Sequence, residues 1–172
     1  MKKMVLFCIV MLFMSSSSWA QDTIDIKGWN NAAWGMTEDN IRQLFEGQIT
    51  DIKKQEIDDG KFYRNLSLNK YNIAGVDFDV LFEMGTADNR LRSVRLVCIP
   101  ALNSYFGRFE QLLTGKYGPP KSKDGSQSGK TASWFLSSTK IELIFSHMYG
   151  FGNILNILYS DQSILKKDFD KL

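Results

Sequence analysis

Between residues 76 and 84 the side chains alternate almost without a break. Val76, Phe78, Val80, Phe82 and Met84 are apolar, Asp77, Asp79 and Glu83 are charged, and only Leu81 departs from the pattern. Successive Cβ atoms of a strand point to opposite faces, so a period of two marks a strand with one face in a core and one in water. Such strands belong to antiparallel sheets covered on one side, because strands buried on both faces read as continuous apolar runs.

Flanking segments extend the sheet. Residues 62–68 read as a strand ending in the turn-rich Asn69-Lys70-Tyr71-Asn72, and residues 91–99 as another, with Arg92 and Arg95 offset from Val94, Leu96 and Cys98. Pro100 closes it. Three further strands are expected at 131–136, 140–147 and 153–160, joined by Ser137-Ser138-Thr139 and Tyr149-Gly150-Phe151-Gly152. Two helices interrupt the strands. The first starts at Thr37, an N-cap followed by Glu38 and Asp39 on the first turn. Ile41, Leu44 and Phe45 form its stripe, and Gly47 stands past its end. The second spans 103–117 and stops at Gly118-Pro119-Pro120. A strand-like piece at 23–26 and a short helix at 162–169 complete the elements.

The order is therefore helix, three strands, helix, three strands. One αβββ unit buries its sheet face poorly with a single helix, whereas two units side by side share one face. The expected fold is α+β: one antiparallel sheet built from two αβββ repeats, about 36–99 and about 102–160, with both helices on one face. Residues 21–172 form a single domain on this reading.

Residues 1–20 are expected to be an address rather than part of the fold. Lys2 and Lys3 precede eleven apolar residues from position 4 to 14, and the small residues Ser18 and Ala20 mark cleavage after Ala20. Eleven apolar residues are too few for a membrane span, which needs about 20, so no transmembrane anchor is expected after cleavage. The destination is the periplasm or the outside of the cell. Cleavage removes two lysines and no acid, leaving 19 basic and 19 acidic groups over 152 residues. A neutral chain excludes a broad basic face for nucleic acid. Cys98 becomes the one remaining thiol, in phase with Val94 and Leu96, and is expected to be buried.

The segments Trp34-Gly35-Met36-Thr37-Glu38-Asp39-Asn40-Ile41, Ala74-Gly75 before the alternating strand, and Lys116-Tyr117-Gly118-Pro119 carry a resemblance. Together with Trp134, Ile141, Leu143 and the terminal Leu158-Tyr159, this layout resembles a diffuse group of uncharacterised secreted bacterial proteins, over nearly the whole mature chain. The repeated helix-plus-strands plan is also similar to the β-lactamase-inhibitor-protein type of fold and to small outer-membrane assembly proteins. That resemblance implies the architecture and, by analogy, a protein-binding role without catalysis.

Reactive groups are scarce. His147 is the only histidine, and a metal site needs two or more converging His, Cys or carboxylate groups. Calcium is conceivable at Asp51, at Asp58-Asp59-Gly60, or at Asp77 with Asp79, but the EF-hand spacing is missing. No G-x-S-x-G elbow occurs, and Ser146 and His147 stand on opposite faces of a strand. Gly125-Ser126-Gln127-Ser128-Gly129-Lys130 lacks the phosphate-loop spacing. No cofactor and no metal are expected. Trp29, Trp34, Tyr71 and Phe151, at loops and element ends, are either aromatic anchors or caps on the core. Arg90, Arg92 and Arg95 either pair across strands with Asp77, Asp79 and Glu83 or present a basic stripe to an acidic partner. The candidate binding residues are Trp29, Trp34, Arg92 and Arg95, and the expected partner is an envelope protein. The alternative is a small envelope hydrolase using dispersed carboxylates and His147.

Overall fold

The structure, a computed structural model, describes residues 25–126, 128–150 and 152–163. In chain order they form β1 (Gly28–Trp29), β2 (Ala32–Ala33), α1 (Glu38–Leu44), β3 (Ile49–Ile57), β4 (Phe62–Ile73), β5 (Val76–Gly85) and β6 (Leu91–Cys98). After these come α2 (Asn103–Tyr117), β7 (Ser122–Gly125), β8 (Gly129–Phe135), β9 (Thr139–Met148) and β10 (Gly152–Asp161). The expected leader, the first half of the 23–26 piece, Phe151 and the part of the expected terminal helix beyond Ser163 lie outside the described residues.

The fold is α+β, but not two αβββ repeats with both helices on one face. Eight strands make one antiparallel sheet in the order β3-β4-β5-β6-β10-β9-β8-β7, and β1 and β2 form a separate two-stranded ribbon. Besides the ribbon, two strands of the large sheet were not expected, and they are its edges. β3, with Lys53 and Lys54 in its middle, is mostly exposed and buries too little to leave a period-two signal. β7 is exposed throughout and is defined by its ladder to β8, in which Lys123 faces Ala132.

The cover over the core also differs from the expectation. α1 has only seven residues, and Ile41 is the one buried among them. The ribbon makes up the deficit: Trp29 of β1 packs on Phe45 and Phe82, with ring centroids 6.3 and 6.4 Å away. α2 lies against β8, β9 and β10 and sends Phe109 edge-on to Phe78 at 5.1 Å. Its stripe is Phe106, Phe109 and Leu113, spaced three and four apart as a helix with one buried face requires.

β6 and β10, the last strand of each half, meet in the middle of the sheet. Leu155, Ile157 and Tyr159 oppose Cys98, Leu96 and Val94, and all six are buried. Cys98 is thus a core residue, and burial pushes its thiol pKa up.

Local signals account for the ends of the elements. The Thr37 hydroxyl accepts the Asn40 amide at 3.3 Å, and Asn40 Oδ1 accepts the Thr37 amide at 3.1 Å, a reciprocal cap on α1. The expected turn at Asn69-Lys70-Tyr71-Asn72 is instead a bulge within β4, where Lys70 has φ +52° and the register to β5 shifts. The chain reverses later, at Ala74-Gly75, with φ +51° and +78°. Two consecutive left-handed residues suit the twist of a two-residue hairpin, and glycine takes the second at no steric cost. The segment before β1 is tied to the β8–β9 turn. Asp25 accepts the Ser138 amide and hydroxyl at 2.8 and 2.7 Å, and the Thr139 hydroxyl donates to the Ile26 carbonyl.

Candidate functional site on the open face of the sheet

The face of the sheet turned away from the core is assembled by register. On β5 the core takes Phe78, Val80, Phe82 and Met84, which leaves Asp79, Leu81 and Glu83 pointing the other way. Leu81 lies across from Arg95, Arg95 from Leu158, and Leu158 from Glu142, so these four form one row over four strands. In the neighbouring rows Glu83 faces Ser93, and Val97 faces both Asp79 and Asn156. A bulge between Glu83 and Met84 places Arg92 out of the regular alternation, where it reaches the sheet end.

These residues line a groove of about 640 Å³ over β4, β5, β6 and β10. Its apolar strip includes Leu81, Val97, Ile99, Ile154 and Leu158. Its charges are held by neighbours. Glu83 is only 3% exposed; it accepts the Ser93 hydroxyl and pairs with Arg95 Nε at 2.9 Å. Arg92 pairs with Asp161 at 3.1 Å and with Asp88. Gly85 leaves room for that second contact, since a Cβ there would lie 2.7 Å from Asp88 Oδ1. Arg64 directs Nε and Nη2 to Gln55 Oε1, at 2.9 and 2.6 Å. Glu83, Arg92 and Arg95 are thus neutralised in ion pairs on the floor of the groove, while Arg64 is held by an uncharged amide.

Arg92 and Arg95 therefore stand together, as half-buried members of ion pairs. Of the acids expected opposite them, Glu83 takes Arg95. Asp77 instead accepts from Asn72 at 2.6 Å, and Asp79 Oδ1 takes the Lys70 amide at 3.4 Å. Arg90 donates to the Gly35 carbonyl at 3.2 Å. The two tryptophans lie elsewhere: Trp29 is buried in the ribbon, and half-buried Trp34 donates its indole N–H to Thr139 Oγ1 at 2.9 Å. The groove does not include them.

The apolar strip and Asp161 were missed by the sequence reading. A signal for the strip exists: Leu81 breaks the β5 alternation, and β10 is apolar at both Leu155 and Leu158, on opposite faces. Asp161 carries no such signal, because tertiary folding alone brings it to Arg92, whereas Asp88 stands only four residues before Arg92 in the β5–β6 turn.

Elsewhere His147 sits near the end of β9, its Nδ1 2.9 Å from Asn153 Oδ1, and Asn153 in turn donates to Asn103 Oδ1 at 2.8 Å. Among the described residues no three His, Cys, Asp or Glu side chains converge as metal ligands. Asp51 pairs with Arg42 at 2.5 Å, which holds its carboxyl below the usual range, and Asp58 lies 3.7 Å from Lys61. No helix among the described residues is long and apolar enough to cross a membrane. Comparison with protein-family models, curated proteins and solved structures finds no match.

Proposed function

We propose that the chain is an exported, non-catalytic module of the cell envelope that holds a protein partner on the open face of its sheet. The observation that carries this reading is the groove, in which an apolar strip is flanked by charges of which Glu83, Arg92 and Arg95 are already paired within the fold. A partner covering such a surface gains apolar burial without stripping water from unpaired ions, whereas an uncompensated ion is expensive to bury. A surface whose central arginine, Arg95, is already paired with Glu83 fits a protein better than a phosphate backbone, which selects unpaired Lys and Arg. The resemblance to β-lactamase-inhibitor-protein and outer-membrane assembly folds belongs to the same proposal. No observation favours a hydrolase built on His147.

The test places a photo-crosslinking amino acid at Leu158 in living cells, with a control at exposed Lys53 on β3. The expected result is one discrete adduct from Leu158, absent from Lys53 and lost when Leu81→Asp is added. The adduct's partner, once purified, should bind wild-type protein and lose affinity for Leu81→Asp. No adduct at Leu158, or the same adducts at both positions, overturns the reading.

A further inference from the structure

A cavity of about 720 Å³ opens on the core side of the sheet, between the β1–β2 ribbon and α2. Its place follows from the two covers. The ribbon packs on β6 and β10, α2 packs on β8, β9 and β10, and between them Ile157 and Tyr159 of β10 are left as a floor. Trp29 of the ribbon forms one wall, and Phe109 and Leu113 of α2 form the other. Leu112, also in the lining, is 47% exposed. The ribbon wall is built before any ligand arrives. Asn30 and Asn31 take φ of +45° and +69°, which asparagine tolerates, and Asn30 Nδ2 donates to the Tyr71 hydroxyl at 2.9 Å. A preformed recess of this size, apolar with a few polar groups, is the form that small-molecule sites take.

Charge is the second observation. Lys27 enters the ribbon and Lys116 lies in the last turn of α2, so the fold brings two cations to the cavity from opposite walls. Lys116 Nζ stands 5.2 Å from the centre of the Tyr117 ring, itself part of the lining. Among the described residues that line the cavity there is no Asp or Glu, and neither lysine is ion-paired with a described carboxylate. The acids of the neighbouring elements have other partners. Asp25 is held by Ser138, Asp77 by Asn72, and Glu110 by Lys123. Arg108 adds a further cation nearby, donating to the carbonyl of Ala74, a lining residue. Tyr159 is 7% exposed, and burial pushes its hydroxyl pKa up, so the floor offers a neutral donor rather than an anion.

We propose that this cavity binds a small amphiphilic carboxylate. Its apolar body lies against Trp29, Phe109, Leu113 and Ile157, and Lys27 and Lys116 hold the carboxylate at the mouth. A cleft lined by one sign of charge concentrates ligands of the other sign, which selects an anion over a cation of the same body. The site lies on the opposite side of the sheet from the groove and does not depend on a partner there.

The experiment is an amide NMR titration of the full chain with decanoate. Saturable shifts are expected at Gly28, Ala32 and Leu113, with Lys53 on β3 unchanged. Butyrate should bind at least a hundredfold more weakly, because six fewer methylenes are buried. Decyltrimethylammonium, with the same chain and the opposite charge, should bind at least tenfold more weakly than decanoate. Lys27→Gln with Lys116→Gln changes two exposed side chains and should weaken decanoate about tenfold, the combined worth of two exposed ion contacts. Leu112→Asp, which sets a carboxylate among the lining residues, should weaken it at least as much. Absence of shifts at the ribbon and α2 overturns the proposal, as do shifts confined to residues 1–24. Equal binding of the cationic amphiphile overturns it, and so does unchanged affinity in the double glutamine variant.

Discussion

The Glu83–Arg95 pair offers a quantitative test of how the groove floor is held. Glu83 is 4% exposed at its side chain and Arg95 is 29% exposed. Replacing Arg95 by Met leaves an ionised, buried carboxylate with the Ser93 hydroxyl as its remaining partner in the groove. Breaking a buried pair from one side costs about 3–5 kcal/mol, and the partial hydration of Arg95 sets this case at the low end, about 3 kcal/mol. Glu83→Gln acts differently. It removes the charge that needs compensating, and Arg95 turns toward water, so the loss is about 1 kcal/mol, the worth of an ordinary hydrogen bond. The double variant Glu83→Gln/Arg95→Met contains no buried ion and should lose less than the two single changes combined, with a coupling of about 2 kcal/mol. Equilibrium urea unfolding of all four proteins, with unchanged m-values, measures each term. If Arg95→Met loses under about 1 kcal/mol, or the double variant costs the full sum, the carboxylate is not compensated as described.

Three further outcomes are expected. Trp134 is 1% exposed and donates its indole N–H to the Gly118 carbonyl at 2.8 Å, so Trp134→Phe should cost about 1–2 kcal/mol and Trp134→Ala about 3–5 kcal/mol in denaturant titrations. Equal losses would remove the distinction between bond and volume. Gly28 has φ +154° and no room for a Cβ, which would lie 1.9 Å from the Ala32 carbonyl oxygen. Gly28→Ala should open the β1–β2 ribbon and cost about 2 kcal/mol or more, visible in the denaturation midpoint and the near-ultraviolet signal of Trp29. The Ser138 hydroxyl and amide hold the Asp25 carboxyl below its usual 3.8. The unfolded chain therefore takes up the proton first. The contribution of Asp25 is present above that pH and is lost as the pH falls through the folded value. Melting temperature plotted against pH should fall less steeply on the acid side for Asp25→Asn, and parallel curves would contradict the latch.

The expectations that agree with the structure are ones whose partners lie along a single element, although the turn expected at Asn69-Lys70-Tyr71-Asn72 is a bulge within β4 and Leu44 of the α1 stripe is exposed. The alternation from Val76 to Met84 marks β5, the Thr37–Asn40 cap starts α1, and Gly118 stops α2, because each signal is local and its energy is realised within one turn or one pleat. The burial of Cys98 follows from its phase in β6 for the same reason. The edge strands β3 and β7 were not legible, since an edge buries few side chains and takes its definition from the neighbour it pairs with. The helix-per-repeat cover failed likewise: α1 is too short to roof its half, and Trp29, from a ribbon of two-residue strands, fills the space.

The groove divides along the same line. Arg92 and Arg95 were singled out from spacing, and Leu81 already broke the pattern of its strand. The pairing of Arg92 with Asp161 was decided only by three-dimensional assembly, where β6 meets β10 and a bulge redirects Arg92, while Asp88 reaches the same guanidinium from the adjoining turn. The amino-acid sequence by itself determined the period of each strand, the ends of the helices and the scarcity of reactive groups, all properties of neighbours along the backbone. Tertiary structure alone decided strand order, the sheet edges and the assembly of the groove, because those depend on contacts between segments that no local periodicity encodes.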